Sequence, residues 1–250
     1  MSTAPVFLAE PGSVASAAPG STLWLEGAEG RHAVAVRRLR VGEPVVLGDG
    51  AGRGAFGTVS AVEGRDRLAV RVDEVREEPP PSPSVTVIQA LPKGDRGELA
   101  VETMTETGVD AIVPWAAARC VTRWKGERGQ KALAKWRATA REAAKQSRRL
   151  RVPEVPEQVT TRQAAELLGR AAFAAVLHEQ ATDPLAGADL PAAGELVLVV
   201  GPEGGIAPEE LAAFTAAGAG VYRLGATVLR TSTAGTVAAA LLLAGSGRWR

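Results

Sequence analysis

A run of prolines constrains the fold of this chain more than any other feature. Residues 77–83 read Glu-Glu-Pro-Pro-Pro-Ser-Pro. Because proline fixes φ and has no amide hydrogen, neither a helix nor a strand continues through such a run. The pattern of apolar residues changes across it. The run therefore predicts a semi-rigid linker between a first domain at 1–76 and a second at 84–250, and the 250 residues suffice for two modest cores.

Short β-type segments alternate with glycine-rich turns before the linker. Leu68, Val70 and Val72 are apolar, whereas Arg71 and Asp73 between them are polar. This is the period of a strand with one buried face. The other candidate elements are strands at 6–8, 22–25, 44–47 and 55–62 and a single helix at 28–39. The pattern predicts a small antiparallel barrel or sheet.

After the linker, apolar segments alternate with helical ones. The candidate strands are 85–91, 111–114, 174–177, 196–200 and 221–224, and the candidate helices are 95–107, 131–149, 161–171, 208–217 and 232–243. Continuous apolar runs are typical of strands buried on both faces. Strands that alternate with helices of this length predict a parallel α/β sheet with helices on both faces.

Two glycine-containing turns follow strands of this predicted sheet. Gly-Pro-Glu-Gly-Gly at 201–205 precedes a helix start with Pro208 and two first-turn glutamates, and Leu-Gly at 224–225 leads to Arg230. Ligands of open α/β sheets bind where the strands end, and glycines allow a close approach. Plain strand-to-helix turns explain this spacing equally well. Arg230 is either an anion-binding, substrate-orienting group or a salt-bridged surface residue.

The net charge of +1 means that any binding of nucleic acid depends on a local basic patch. Basic residues recur every four positions of the predicted helix at 131–149: Arg137, Arg141, Lys145 and Arg149. Like charges at this spacing repel each other, which favours a role in phosphate binding. A merely solvated helix face is the alternative.

The composition also excludes several classes of protein. Cys120 is the only cysteine, so the chain has no internal disulfide and suits a reducing compartment. With two histidines and one cysteine, a zinc site is hard to build, and we expect no metal. The first residues lack the pattern of a signal peptide, and the longest apolar segment, 234–245, is shorter than the roughly 20 residues that span a bilayer. We expect a soluble, cytoplasmic protein without a membrane partner.

Taken together, Gly-Pro-Glu-Gly-Gly and the Leu-Gly-x-x-x-Leu-Arg-Thr-x-Thr-Ala of residues 224–234 resemble the bacterial small-subunit ribosomal RNA uracil-N3 methyltransferases of the SPOUT superfamily. The resemblance extends to the segments 31–43, 93–96, 106–109 and 135–155. Thr227 stands where many relatives have arginine, and Ser232 where many have glutamate.

The resemblance implies an overall architecture and a set of partners. It implies a small PUA-like β-barrel domain that binds RNA, followed by a SPOUT-type parallel α/β domain with a C-terminal trefoil knot. The partners are ribosomal RNA of the small subunit and a second copy of the chain in a homodimer. The candidate RNA-binding residues are Arg31, Arg37 and Arg38 of the first domain with the four basic residues of the helix.

The resemblance further implies an S-adenosylmethionine site made by three loops. The candidate cofactor-binding residues are Leu177, His178, Glu179, Gly201, Gly205, Ile206, Leu224, Gly225, Thr227, Leu229 and Thr231. Uracil N3 carries a proton, so the reaction needs a proton acceptor and a group that stabilises negative charge. Arg230 is the first candidate for the second role. Glu203 and His178 are weaker candidates for the first, and a second subunit could supply the acceptor instead.

One alternative is a non-catalytic RNA-binding protein with a vestigial cofactor pocket. A nucleotide-dependent enzyme is disfavoured, because neither familiar phosphate-binding fingerprint is present.

Overall fold

A computed structural model describes residues 4–249, without the side chain of Pro11. The chain divides into two compact units, the first formed by Met1–Pro80 with Ala144–Val152, the second by Pro81–Ala143 with Pro153–Arg250. The extreme ends of the two predicted domains, residues 1–3 and Arg250, lie outside the described residues. The sequence contains no sign that residues 144–152 are part of the first unit.

The first unit contains one curled sheet. Its elements are β1 (Val6–Leu8), α1 (Pro11–Ala15), β2 (Thr22–Leu25), α2 (Gly27–Arg31), β3 (Pro44–Gly48), β4 (Arg53–Glu63) and β5 (Arg67–Glu77). The strand order is β1-β3-β4-β5-β2, and the sheet forms half of a barrel. All neighbours pair antiparallel except β1 and β3, which are parallel. The predicted antiparallel arrangement thus fails at β1, because the chain returns to it through β2 and α2 instead of a hairpin.

The helix predicted at 28–39 is interrupted. After α2 the backbone widens into a π-helical turn, His32–Val36, in which the Arg37 amide donates to the His32 carbonyl at 2.8 Å. Arg38 then takes a left-handed φ of 57° and ends the turn. The side chains of Arg31, Arg37 and Arg38 are all exposed. Such π-turns are frequent at functional sites.

The second unit contains a parallel sheet covered by helices. Its elements are β6 (Ser84–Ala90), α3 (Arg96–Thr107), β7 (Ala111–Trp115), α4 (Gly126–Gln146), α5 (Thr161–Leu168), β8 (Phe173–Leu177), β9 (Glu195–Val200), α6 (Pro208–Ala216), β10 (Gly220–Tyr222) and α7 (Thr231–Gly245), with the last turn of α4 belonging to the first unit. The strand order is β10-β8-β9-β6-β7, and every neighbouring pair is parallel.

The central strand β9 shows why this arrangement is stable. From Leu196 to Val200 no residue exposes more than 2% of its surface, so both faces are covered, as the continuous apolar run predicts. The prediction of a parallel α/β domain is confirmed, whereas the trefoil knot stays a prediction. Since all five strands point the same way, the loops that follow them lie at one edge of the sheet. No helix of the described chain is long and apolar enough to cross a membrane.

Candidate functional site

A cavity of about 800 Å³ opens at the carboxyl edge of this sheet. Its walls are the loops that follow β8, β9 and β10, at residues 177–180, 200–206 and 222–231, together with Arg96 and Arg119. These three loops are distant in sequence and meet only because their strands are neighbours. The volume lies within the range of small-molecule sites.

The structure brings the predicted site residues together around this cavity. The cavity is lined by Arg230 and Glu203 and by every residue implied for the cofactor: Leu177, His178, Glu179, Gly201, Gly205, Ile206, Leu224, Gly225, Thr227, Leu229 and Thr231. Ser232, where this chain departs from many relatives, is buried in the first turn of α7. The position of the residues is established, and their individual roles stay predictions.

The Gly-Pro-Glu-Gly-Gly turn needs its glycines for its own packing. A Cβ atom on Gly201 would lie 2.7 Å from Cγ1 of Ile206, which folds back beneath the turn and is 5% exposed. Gly205 has a φ of +73°, a conformation that strains other residues. Gly225 in the neighbouring loop differs, because a Cβ there would meet nothing within 4 Å. There is thus room for a ligand beside Gly225. At position 201, by contrast, glycine is required by the packing of Ile206 against the turn.

The buried carboxylate of Glu210 holds in place the segment that follows the Gly-Pro-Glu-Gly-Gly turn. Glu210, in the first turn of α6, is 5% exposed and accepts hydrogen bonds from the Ala118 amide at 2.8 Å, the Thr161 hydroxyl at 2.9 Å and the Ala207 amide at 3.1 Å. It thereby joins the loop after β7 and the start of α5 to the helix that follows the glycine turn. From the sequence alone, Glu210 is predicted only to be an acidic residue that stabilises the first turn of a helix.

The loop after β7, residues 116–123, is a part of the site that the sequence analysis missed. Arg119 donates to the Gly204 carbonyl at 3.2 Å, and Thr122 donates to the Pro92 carbonyl at 2.7 Å. Arg123 donates to the carbonyl of Ala118 at 2.8 Å. The available signal was the presence of Arg119 and Arg123 in the segment that follows a predicted strand of the same sheet.

Cys120 within this loop is buried. Burial raises the pKa of its thiol above the ordinary value, and the charge of Glu210 adds to this in a smaller degree. A thiol in such surroundings stays protonated at neutral pH and does not act as a nucleophile.

Arg230 is available for chemistry. Its side chain is exposed and forms no ion pair with any residue in the described range 4–249. Its carbonyl accepts the Thr233 and Ala234 amides at the start of α7, which fixes the backbone at this point. The guanidinium therefore extends from a rigid helix terminus beside the cavity.

The two candidate proton acceptors have different surroundings. Glu203 is exposed, and its Oε1 accepts the Lys93 amide at 3.2 Å, which leaves the carboxylate accessible from the cavity. His178 is half-buried, and its Nδ1 accepts the Gln180 amide at 3.2 Å. A neutral imidazole with Nδ1 engaged in this way carries its proton on Nε2. His178 is thus a poor acceptor, and Glu203 is the better candidate.

The predicted basic row of helix α4 is corrected at one position. The side chain of Lys145 is only 3% exposed and pairs with Glu29 at 2.8 Å within the first unit, so it cannot reach a phosphate. Arg137 donates to the Val155 carbonyl at 2.8 Å and pairs with Glu157 at 3.3 Å. Arg141 is exposed on the helix, whereas Arg149 lies beyond its end.

Comparison with known proteins agrees with this geometry. Residues 78–243 match the family described as an RNA methyltransferase domain, and residues 25–73 match the RNA methyltransferase PUA domain. The chain belongs to the RNA methyltransferase family. One relative, the ribosomal RNA small subunit methyltransferase E of Mycobacterium bovis, is 50% identical over 234 residues, which cover 92% of this methyltransferase and 89% of the relative.

Solved structures of similar proteins share the fold of this methyltransferase. The ribosomal RNA small subunit methyltransferase E of Neisseria gonorrhoeae, bound to S-adenosyl methionine, has a TM-score of 0.83 at 28% identity and covers 97% of this chain and 98% of its own. A methyltransferase of Legionella pneumophila in complex with the same cofactor has a TM-score of 0.82 at 27% identity, with coverage of 97% and 98%. In the described part of the present chain, no group of His, Cys, Asp and Glu could hold a metal ion.

Proposed function

We propose that this methyltransferase transfers the methyl group of S-adenosylmethionine to N3 of a uracil in small-subunit ribosomal RNA. The observation that carries the proposal is the single cavity formed by the loops after β8, β9 and β10, with Arg230 and Glu203 on its wall. The names of the similar proteins support the cofactor and the RNA class.

The cavity fits this cofactor in size and in lining. Its walls combine apolar side chains such as Leu177, Ile206 and Leu229 with the exposed backbone of glycine turns, which suits an adenosine with polar appendages. Bound there, the cofactor supplies a methyl group on a sulfonium whose leaving group departs uncharged. The protein therefore needs no strong acid and acts by holding the acceptor in line.

Two side chains meet the remaining chemical demand. Glu203 takes the proton from uracil N3, since its carboxylate is exposed to the cavity and fixed at one oxygen by the Lys93 amide. Arg230 orients the base and stabilises the negative charge that spreads onto the oxygens beside N3. A single oriented donor of this kind contributes about 100- to 1000-fold to turnover.

The RNA is held by further groups in both parts of the chain. We assign residues 1–76 to RNA binding and 84–250 to methyl transfer, joined by the linker at 77–83. Arg31, Arg37 and Arg38 surround the π-turn of the first part, and Arg141 is exposed on α4. Lys145 is omitted because it is buried.

The proposal includes a cytoplasmic homodimer with a trefoil knot. Val228 is 79% exposed beside the cavity and Val237 is 37% exposed on α7, and apolar groups in such positions support a protein contact. A second chain seated there would cover the open side of the cavity.

The test compares Arg230→Ala with Arg162→Ala, an exposed arginine on α5 outside the cavity. Small ribosomal subunits that lack modification serve as substrate, the methylated atom is mapped by mass spectrometry, and cofactor affinity is measured by calorimetry. We expect Arg230→Ala to lower turnover by about 100-fold or more while the cofactor Kd changes less than about threefold.

Two results would contradict the proposal at different levels. An unchanged rate for Arg230→Ala at saturating RNA would remove the role of Arg230. Failure of the unaltered dimer to bind S-adenosylmethionine would instead support the non-catalytic RNA-binding protein.

A further inference from the structure

A second cavity of about 370 Å³ lies beside the first. Its walls are Lys93, Gly94, Arg96, Val121 and Glu203, of which Arg96 and Glu203 also line the larger cavity. The two cavities therefore meet at the carboxylate that we assign to the proton on N3. Apart from Glu203 and the Lys93 amide that holds it, the residues that line this side cavity have no role in the proposed methyl transfer.

Hydrogen bonds between three loops hold the side cavity in shape. The Lys93 amide donates to Glu203 Oε1 at 3.2 Å, and the Thr122 hydroxyl donates to the Pro92 carbonyl at 2.7 Å. The third hydrogen bond is donated by Arg119 to the Gly204 carbonyl at 3.2 Å. Each loop is bonded to another, so the cavity is preorganised and does not depend on a ligand to form.

The lining combines an exposed apolar group with unneutralised cations. Val121 is 75% exposed although the loop on both sides of it is fixed. Neither Lys93 nor Arg96 forms an ion pair with another residue of the described chain. A Cβ on Gly94, which has a φ of +69°, would meet nothing within 4 Å, so space remains beside the apolar side chain.

This combination matches one kind of ligand. A nucleotide presents a flat apolar base next to an anionic phosphate, and proteins bind it with an apolar platform and flanking cations. An enzyme that modifies a base edge must also take the nucleotide out of its stack and hold it in a pocket. A site for the target has to adjoin the methyl donor, and this cavity shares Arg96 and Glu203 with the larger one.

We propose that the side cavity receives the target nucleotide after it leaves the RNA stack. The base rests against Val121 above Gly94, its phosphate contacts Lys93 and Arg96, and its N3 edge faces Glu203 and the larger cavity. This inference rests on the proposed function, because it assigns the RNA side of the same reaction.

The first test is kinetic and uses two substitutions that leave the cofactor cavity unchanged. Val121→Asp places a negative charge at the apolar platform, and Lys93→Gln removes the cation but keeps the backbone amide that holds Glu203. The matched controls are Leu99→Asp, an exposed apolar residue of α3 outside both cavities, and Arg162→Gln. We expect kcat/KM for unmodified small subunits to fall at least tenfold in the two test variants, mainly through KM, while the cofactor Kd stays within twofold.

A direct binding test covers the case in which Val121→Asp fails to fold. The methyl resonances of Val121 are followed by NMR in the intact protein during titration with uridine 5′-monophosphate, uridine and inorganic phosphate. We expect the nucleotide to shift these resonances at lower concentration than either fragment, and Val121→Ala to weaken its binding.

The inference is overturned if Val121→Asp behaves like Leu99→Asp or if the nucleotide leaves the Val121 resonances unchanged. In either case intact cofactor binding and methyl transfer by the unaltered protein would leave the proposed function standing. Loss of both in the unaltered protein would instead reject the function itself.

Discussion

Glu210 offers a direct test of how the site is held together. Its carboxylate is the shared acceptor for the amides of Ala118 and Ala207 and for the hydroxyl of Thr161. Glu210→Ala removes all three hydrogen bonds at once and leaves their donors without a protein partner. The change leaves the cavity lining itself intact, since Glu210 is not part of it.

The expected loss of stability can be worked out donor by donor. Ala207 is 6% exposed, so water cannot replace its lost acceptor, and an unsatisfied buried amide costs about 1–3 kcal/mol. The Thr161 hydroxyl can rotate toward another acceptor and loses about 1 kcal/mol. Ala118 is exposed and can bind water, so its loss is smaller. The sum is a decrease of roughly 2–4 kcal/mol in the free energy of unfolding.

Urea unfolding of Glu210→Ala, Glu210→Gln and Glu209→Ala measures this loss. Glu209 is the exposed neighbour in the same helical turn, so its replacement should change stability by less than about 0.5 kcal/mol. Glu210→Gln keeps one acceptor oxygen and should fall between the two. Native-state hydrogen exchange should show faster exchange of the Ala207 amide in Glu210→Ala. The reasoning is refuted if Glu210→Ala and Glu209→Ala unfold at the same urea concentration.

Two further predictions concern side chains whose surroundings the structure defines. Lys145→Ala should destabilise the protein by about 2–4 kcal/mol in urea unfolding because it leaves Glu29 without its buried partner. Arg141→Ala should leave stability unchanged and instead reduce the salt dependence of RNA binding. If Lys145→Ala reduced the salt dependence and left stability unchanged, Lys145 would bind RNA after all. Because burial raises the pKa of the Cys120 thiol, its contribution to stability is present below the unfolded value of about 8.5 and is lost as the pH rises above it. The urea midpoint should therefore fall more steeply between pH 8 and 10 in the unaltered protein than in Cys120→Ala, and parallel curves would argue against it.

The elements that can be predicted from sequence are those with a local cause. The apolar run of β9 and the proline at the start of α6 determine a strand and a helix within a few residues, and both are found within one residue of their predicted bounds. The parallel pairing of β1 with β3 depends on contacts far along the chain, and the widening of the helix at His32–Val36 has no signal in the pattern of apolar residues. Periodicity contains no information about such contacts.

The same distinction applies to the site. The glycine turns after β9 and β10 can be recognised from their position at strand ends, and the loop after β8 is implied only by the resemblance to a known family. The loop at 116–123 has no comparable motif, and its role depends on bonds to Pro92 and Gly204 that only the folded chain brings close. Likewise, Lys145 has the helical spacing of a phosphate-binding row, yet its side chain is buried because it pairs with Glu29.

The cationic side chains around the site fall into two groups. Some have hydrogen-bond partners within the protein and support the fold, and others have no ion-pair partner in the described part of the chain and are available to a ligand. Arg119 donates to a carbonyl of the neighbouring glycine turn and Arg123 to a carbonyl of its own loop, so both side chains have structural partners. Lys93, Arg96 and Arg230 line adjoining cavities without an ion-pair partner in residues 4–249. Like charges gathered in this way repel each other, and a fold selected for stability alone would disperse or pair them. Lys93 and Arg96 line the side cavity and Arg96 and Arg230 the larger one, and this arrangement is what the proposed binding of an anionic RNA nucleotide requires.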